Sequence, residues 1–294
     1  MNLITLSIIT LAVIGAISAL ILYAIAQRFK VEEDPRIDQV ESLLPGANCG
    51  GCGKAGCRNF AESCVRATSL DGMLCPVGGN AVMKQIADLL GMEAVEATPR
   101  VAVVRCNGSC ENRPRINTYE GATNCAIANS LYAGETGCAY GCLGCGDCVS
   151  VCSLGAISID PVTHLPVVDI DICGGCGACA RACPRGIIEV RKRGVKGRGV
   201  YVSCVNKDKG AVARKACNVA CIGCSKCAKE CKFDAITISD NLSYIDSDKC
   251  KMCRKCVDAC PTGAILAVNF PPKKAVATTE STPQAPDTTE AQNN

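Results

Sequence analysis

Four times in this chain, cysteines recur with the spacing C-x2-C-x2-C-x3-C. The sets are Cys142, Cys145, Cys148 and Cys152; Cys173, Cys176, Cys179 and Cys183; Cys221, Cys224, Cys227 and Cys231; and Cys250, Cys253, Cys256 and Cys260. Nothing else in the sequence narrows the possible folds so far, because so many thiols at short fixed steps must converge on something. A small-residue turn and a β-prone run follow each set: GAISID, GIIEVR, DAITIS and GAILAV. A further strand-like run, PVVDIDIC or YIDSDKC, precedes the second and fourth sets. On a larger scale, Cys125, Cys138 and the first set recur at one constant offset as Cys204, Cys217 and the third set. The C-terminal part therefore reads as a tandem duplication of a two-motif unit.

The chain has 27 Cys in 294 residues, no Trp, and only 4 Phe and 6 Tyr. Few large side chains are available to fill a core, so another body must occupy the interior. A cysteine-rich chain of this kind is a disulfide framework, a set of zinc modules or an iron–sulfur protein. Zinc modules use two C-x2-C pairs separated by a longer spacer, which these sets do not follow. With one His, His164, ligands for His-based zinc or haem chemistry are scarce. The net charge of +3 argues against a nucleic-acid-binding surface.

A cubane cluster takes four thiolates. In the bacterial two-cluster ferredoxin arrangement, a C-x2-C-x2-C loop supplies three, and the fourth Cys of the run serves the other cluster of the pair. That arrangement assigns Cys142, Cys145, Cys148 and Cys183 to one [4Fe–4S] cluster, and Cys173, Cys176, Cys179 and Cys152 to its partner. The second unit gives Cys221, Cys224, Cys227 and Cys260, then Cys250, Cys253, Cys256 and Cys231. Pro184 and Pro261 follow the fourth Cys as the ferredoxin pattern expects, whereas Ser153 and Lys232 stand there in the other sets.

A fifth site is separate. Cys49, Cys52 and Cys57 lie in NCGGCGKAGC and Cys75 in LCPVGG, with glycines that let backbone approach a cluster. A zinc site is the alternative there. Cys64, in NFAESCVRAT, reads as a buried small hydrophobe. Of the six remaining cysteines, Cys106, Cys110, Cys125 and Cys138 are the candidate ligands of a sixth cluster. Glu189 stands where the second repeat would carry the counterpart of Cys110. Substitution of Cys138 and Cys217 for a neighbouring ligand is the other reading, and the roles of Cys204 and Cys217 stay open. The expected complement is at least five clusters.

Residues Leu3 to Ala26 are uncharged and mostly apolar, long enough for a bilayer core of about 30 Å. Gln27, Arg28, Phe29 and Lys30 follow, and the positive-inside rule puts that flank in the cytoplasm. A cleaved signal would carry its basic residues first and be shorter. The expectation is a single-pass anchor in the inner cell membrane with the bulk of the chain cytoplasmic, where thiols stay reduced and disulfides are rare.

The expected fold is α+β. A transmembrane anchor (1–27) precedes a small, mostly helical four-Cys [4Fe–4S] domain (28–97) and a Cys-containing connector (98–141). A first two-cluster unit (142–190), a basic linker (191–220), a second unit (221–269) and a disordered tail (270–294) follow. An anchor, then DPRIDQVESLLPGANCGGCGKAGC, then CPVGG, then paired ferredoxin motifs resembles the B subunit of Rnf-type ion-translocating electron-transfer complexes. That resemblance covers nearly the whole chain to about residue 268 and matches the longer forms of that family. It implies a complex that couples electron flow between ferredoxin and NAD to Na⁺ or H⁺ movement. It also implies partner subunits carrying flavins, the NAD site and the ion path.

No P-loop or Ser/His/Asp arrangement is present, so catalytic residues are expected to be none. His164, in PVTHLPVV, reads as a surface residue. A row of clusters in one chain makes a wire, with soluble ferredoxin, membrane lipid and other subunits as partners and no nucleic acid. The basic run Arg191, Lys192, Arg193, Lys196 and Arg198 reads as a solvated loop, with ferredoxin docking as the alternative. The rival functions are a membrane-tethered polyferredoxin of another redox complex and a zinc-binding interaction protein.

Overall fold

The computed structural model describes residues 3–28, 34–94, 96–131 and 134–271. Phe29 and Lys30 of the basic flank, and the tail from residue 272, lie outside the described residues.

Helix α1 (Leu3–Arg28) carries an apolar stretch, Leu6–Ile25, with no side chain buried against the rest of the chain. A helix apolar on all faces needs an apolar surrounding, and this one is long enough to cross a bilayer. Helix α2 (Pro35–Leu43) starts where Asp34 accepts the Arg36 backbone N–H at 2.9 Å, with Pro35 in the first turn. It packs on α3 (Cys57–Arg66) and α4 (Gly79–Leu90) around Ile37, Val40, Phe60, Leu70 and Ile86. Cys64 is fully buried in that core, as a small apolar side chain would be.

Two copies of one topology follow. The first contains β1 (Arg100–Val104), α5 (Cys125–Leu131), α6 (Asp147–Ser150), β2 (Ile157–Ile159), β3 (Pro166–Val168), α7 (Ala178–Ala182) and β4 (Ile188–Lys192). The second contains β5 (Gly199–Val202), α8 (Gly210–Ala216), α9 (Lys226–Lys229), β6 (Ile236–Ser239), β7 (Leu242–Ile245), α10 (Lys255–Asp258) and β8 (Ile265–Val268). All pairings are antiparallel: β1 with β4, β2 with β3, β5 with β8, and β6 with β7. Each β-prone run after a cysteine set is thus a strand. Strand β1 comes from the segment read as a connector and β5 from the segment read as a basic linker. Each pairs with the last strand of its own repeat, so each repeat begins upstream of its first motif.

The basic run is not the solvated loop expected. Arg191 is 5% exposed and stacks 4.8 Å from the Tyr244 ring centroid. Arg193 pairs with Asp171 at 2.5 Å, and Arg198 lies over Phe270. Only Lys192 and Lys196 of the five are exposed. Arg191 belongs to the joint between the repeats, where β4 meets a tyrosine of β7, and burial there needs the aromatic face.

Candidate metal centres

The four motif loops share a backbone device. In each, the residues on either side of the second Cys have positive φ: Gly144 and Gly146, Gly175 and Gly177, Gly223 and Ser225, Met252 and Arg254. Two left-handed residues around one Cys curl the loop so that three thiols face inward. The third Cys of each set lies in a short helix, α6, α7, α9 or α10.

Cys221, Cys224, Cys227 and Cys260 line one cavity of about 330 Å³. Cys260 arrives from the fourth motif, so the fold brings it beside three thiols of the third. Cys49, Cys52, Cys57 and Cys75 line another of about 320 Å³. There Asn48 accepts the Cys57 N–H at 2.8 Å, fixing the loop to the start of α3. Thiols of the remaining sets also lie near one another. Burial pushes the Cys179 thiol up to about 11, and Cys173, Cys176 and Cys152 add to it. Burial likewise raises Cys256 to about 12, with Cys250 and Cys253 beside it, and raises Cys250, which has Cys231 for a neighbour.

The thiols around the first motif are divided between two adjacent cavities. Cys142, Cys148 and Cys183 line a cavity of about 360 Å³ with Cys125, while Cys145 faces an adjacent cavity. The Cys145 thiol, pushed up to about 11 mainly by burial, hydrogen-bonds to Cys125.

The four cysteines of the sixth set read from sequence do not all line one cavity, although Cys110 and Cys138 share one. Cys110 is exposed on the larger adjacent cavity, and Cys125 is held at the first motif. Instead Cys106 and Cys138 share a cavity of about 320 Å³ with Cys204 and Cys217 of the second repeat. The only sequence signal for this was that Cys138 and Cys217 each stand four residues ahead of a motif.

The donor sets suit clusters. Tetrahedral zinc with Zn–S near 2.3 Å holds thiolates about 3.8 Å apart. Among the described residues no three Cys, His, Asp or Glu side chains converge as one metal ion requires. The sets surround a larger body instead. Backbone N–H groups point at ligand sulfurs: Gly78 at Cys75 (3.4 Å), Ala156 at Cys152 (3.3 Å) and Met252 at Cys250 (3.4 Å). Among the described residues every cysteine is a free thiol. His164 is exposed in the β2–β3 turn and lines the cavity that Cys145 faces.

The N-terminal loop docks on the first repeat. A Cβ at Gly51 would lie 2.7 Å from the Cys176 Cβ, and one at Gly174 would lie 2.8 Å from the Val77 Cα. Reciprocal glycines let the loops interlock. Arg181 clamps them, donating to the Cys49 carbonyl at 3.1 Å and the Cys176 carbonyl at 3.2 Å. The Cys49 thiol, raised chiefly by burial, hydrogen-bonds to Cys176.

An apolar helix, a helical four-Cys domain and two tandem cysteine-motif repeats define a polyferredoxin with a membrane anchor. Residues 141–187 and 220–264 match the family described as "4Fe-4S dicluster domain", and residues 44–76 match "Putative Fe-S cluster". The chain is 43% identical over 270 residues to the B subunit of the proton-translocating ferredoxin:NAD(+) oxidoreductase complex of Clostridium ljungdahlii, covering 91% of this chain and 94% of that protein. It is 44% identical over 259 residues to the B subunit of the ion-translocating oxidoreductase complex of Methanosarcina acetivorans, covering 88% and 96%. The Na(+)-translocating counterpart of Acetobacterium woodii is 43% identical over 256 residues, covering 87% and 75%. The chain belongs to the family of B subunits of ion-translocating ferredoxin:NAD oxidoreductase complexes, whose role is iron–sulfur electron transfer.

Proposed function

We propose that this chain is the electron lead between a soluble ferredoxin and the membrane subunits of its complex, using five [4Fe–4S] clusters on the five sequence-assigned ligand sets. Clusters bound there supply one-electron oxidation and reduction. The observation that carries the reading is the contact of Cys49 with Cys176, which brings the anchor-side ligand set against the first repeat. Within that repeat Cys148 has Cys183 and Cys179 for neighbours, so its two sets adjoin; Cys256 and Cys227 link the two sets of the second repeat.

The thiolates hold the clusters, and apolar walls such as Phe60, Ile187 and Ile265 keep water away. N–H groups aimed at ligand sulfurs favour the reduced, more negative form and so raise the potential.

The second repeat supports a docking role for its outer face. Cys224 and Cys253 are exposed, with exposed Lys226 and Lys229 near the first in sequence and exposed Lys251 and Lys255 flanking the second. Small ferredoxins are typically acidic, so this collar suits them. Helix α1 then lies in the lipid as a single span, with the iron–sulfur bulk on the cytoplasmic side, and the complex moves Na⁺ or H⁺.

The test is rapid reduction of the purified complex by reduced ferredoxin. Charge reversal at Lys226, Lys229, Lys251 and Lys255 is expected to slow it at low salt and to flatten its salt dependence. An unchanged rate at low salt would remove the collar from the reading. Zinc in place of iron in the chain would end the reading altogether.

A further inference from the structure

The two repeats meet at a cavity to which each contributes two cysteines. In each repeat one comes just after the first strand, Cys106 after β1 and Cys204 after β5. The other stands four residues ahead of the first motif, Cys138 in one repeat and Cys217 in the other. All four line one cavity of about 320 Å³, close to the volumes beside Cys49 and Cys221. Cys138, Cys204 and Cys217 are buried and Cys106 is half-buried. Four thiols, three of them buried, thus converge from two repeats with no disulfide among them, as ligands of one group would.

We propose that Cys106, Cys138, Cys204 and Cys217 hold a sixth [4Fe–4S] cluster that bridges the two repeats. The proposal rests on the iron–sulfur reading of the other sets and extends it to a site built from both halves of the duplication.

The walls fit such an occupant. Arg113 lines the cavity, and its buried Nε has no protein partner among the described residues, so it is free to donate to a cluster sulfide. Asn206, 1% exposed, donates its side-chain N–H to the Cys138 Sγ at 3.6 Å and its backbone N–H to the Cys204 Sγ at 3.5 Å. A buried dianionic cluster needs such donors and nearby cations, and Arg105 and Arg113 supply the charge. The Gly108 position lies where a Cβ would sit 3.4 Å from the Cys217 Sγ, so the first repeat's loop covers the second repeat's ligand. Backbone bonds lock the halves together, Asn107 N–H to Ser203 O at 3.1 Å and Asn218 N–H to Asn112 O at 2.9 Å.

The location supplies a purpose. Cys106 is a neighbour of Cys142 in the first repeat, and Cys204 accepts the backbone N–H of Cys221 in the second. The ligand sets then run without a gap from Cys49 through Cys176, Cys148, the bridging four and Cys221 to Cys250. Without the bridge, the second repeat's clusters would stand apart from the first's.

The experiment is quantification of iron and acid-labile sulfide per chain in the full-length protein and in single Cys→Ala variants. The wild type is expected to hold six cubanes, Cys138→Ala and Cys217→Ala one fewer, and Cys110→Ala all six. The wild-type count needs no variant to fold. Five cubanes in the wild type would overturn the bridge alone, as would five with one zinc. Loss in Cys110→Ala with none in Cys217→Ala would return the site to the sequence-read set. A wild type without iron would overturn the five-cluster reading together with this one.

Discussion

Arg105 and Tyr244 stack across the boundary between the repeats, the guanidinium carbon 5.1 Å from the ring centroid. Arg191 takes the same ring at 4.8 Å, and the Tyr244 hydroxyl donates to Glu189 at 2.6 Å. Arg105 also bonds Glu189 at 3.3 Å and donates to the carbonyls of Val202 and Cys204 at 3.3 and 3.4 Å. One tyrosine of the second repeat thus closes a knot of three charged side chains from the first, beside the bridging cysteines.

Tyr244→Ala removes two cation–π contacts of about 0.5–1 kcal/mol each and a charge-assisted hydrogen bond of about 1.5 kcal/mol. It also leaves Arg191 buried with no ring to face. The expected cost is about 2.5–3.5 kcal/mol, against about 1.5 kcal/mol for Tyr244→Phe, which keeps the ring. Denaturant unfolding of the loaded protein, followed by its visible absorbance, measures both. Equal stability of the two variants would contradict a role for the ring.

The third motif offers a pair of opposed substitutions. Ser225 sits at φ 63°, a left-handed position that a side chain strains. Ser225→Gly is expected to stabilise the loop by up to about 1 kcal/mol. Gly223, at φ 65°, faces the Asn241 carbonyl oxygen, which an added Cβ would meet at 2.7 Å. Gly223→Ala is expected to cost about 1–3 kcal/mol and to loosen the cluster on Cys224. Rates of iron release to a chelator rank the two, and faster release from Ser225→Gly than from Gly223→Ala would refute the loop argument.

Much of this was legible because thiol spacing and strand runs are local. The curl at Cys224 and the strand at Ile236–Ser239 need only neighbouring residues. The bridging site is different. A single constant offset aligns Cys125 with Cys204, but the fold makes Cys106 the true counterpart, since both follow the first strand of their repeat. The loops in between differ, 107–137 against 205–216, and this breaks the register that a sequence repeat relies on. Arg191 is hidden for a related reason: a cation reads as solvent-facing until a tyrosine far along the chain comes to cover it.

Cys125 and Cys145 compete for one place. Asp147 accepts the backbone N–H groups of Cys125 at 2.9 Å and Ala126 at 3.2 Å, so it holds the start of α5 against the first motif. Cys145 matches Cys224 in the repeat, and Cys224 lines its own cavity. Cys145→Ala is therefore expected to remove one cubane and Cys125→Ala none, by iron and sulfide content. The reverse result would make Cys125 the ligand and Cys145 the spare thiol beside it.

The crossing of ligands has a signature that single variants miss. Cys183 lines the cavity of Cys142 and Cys148, although its own motif is the second. Cys183→Ala and Cys142→Ala should each remove one cubane, and the double variant should remove no more, because both thiols serve the same cluster. Cys183→Ala with Cys173→Ala should remove two, since those thiols serve different clusters despite sharing a motif. The same holds in the second repeat for Cys260 with Cys221 against Cys260 with Cys250. Iron content of the four double variants decides it: a motif that kept its own fourth Cys would reverse the two outcomes, with two cubanes lost from the first pair and one from the second.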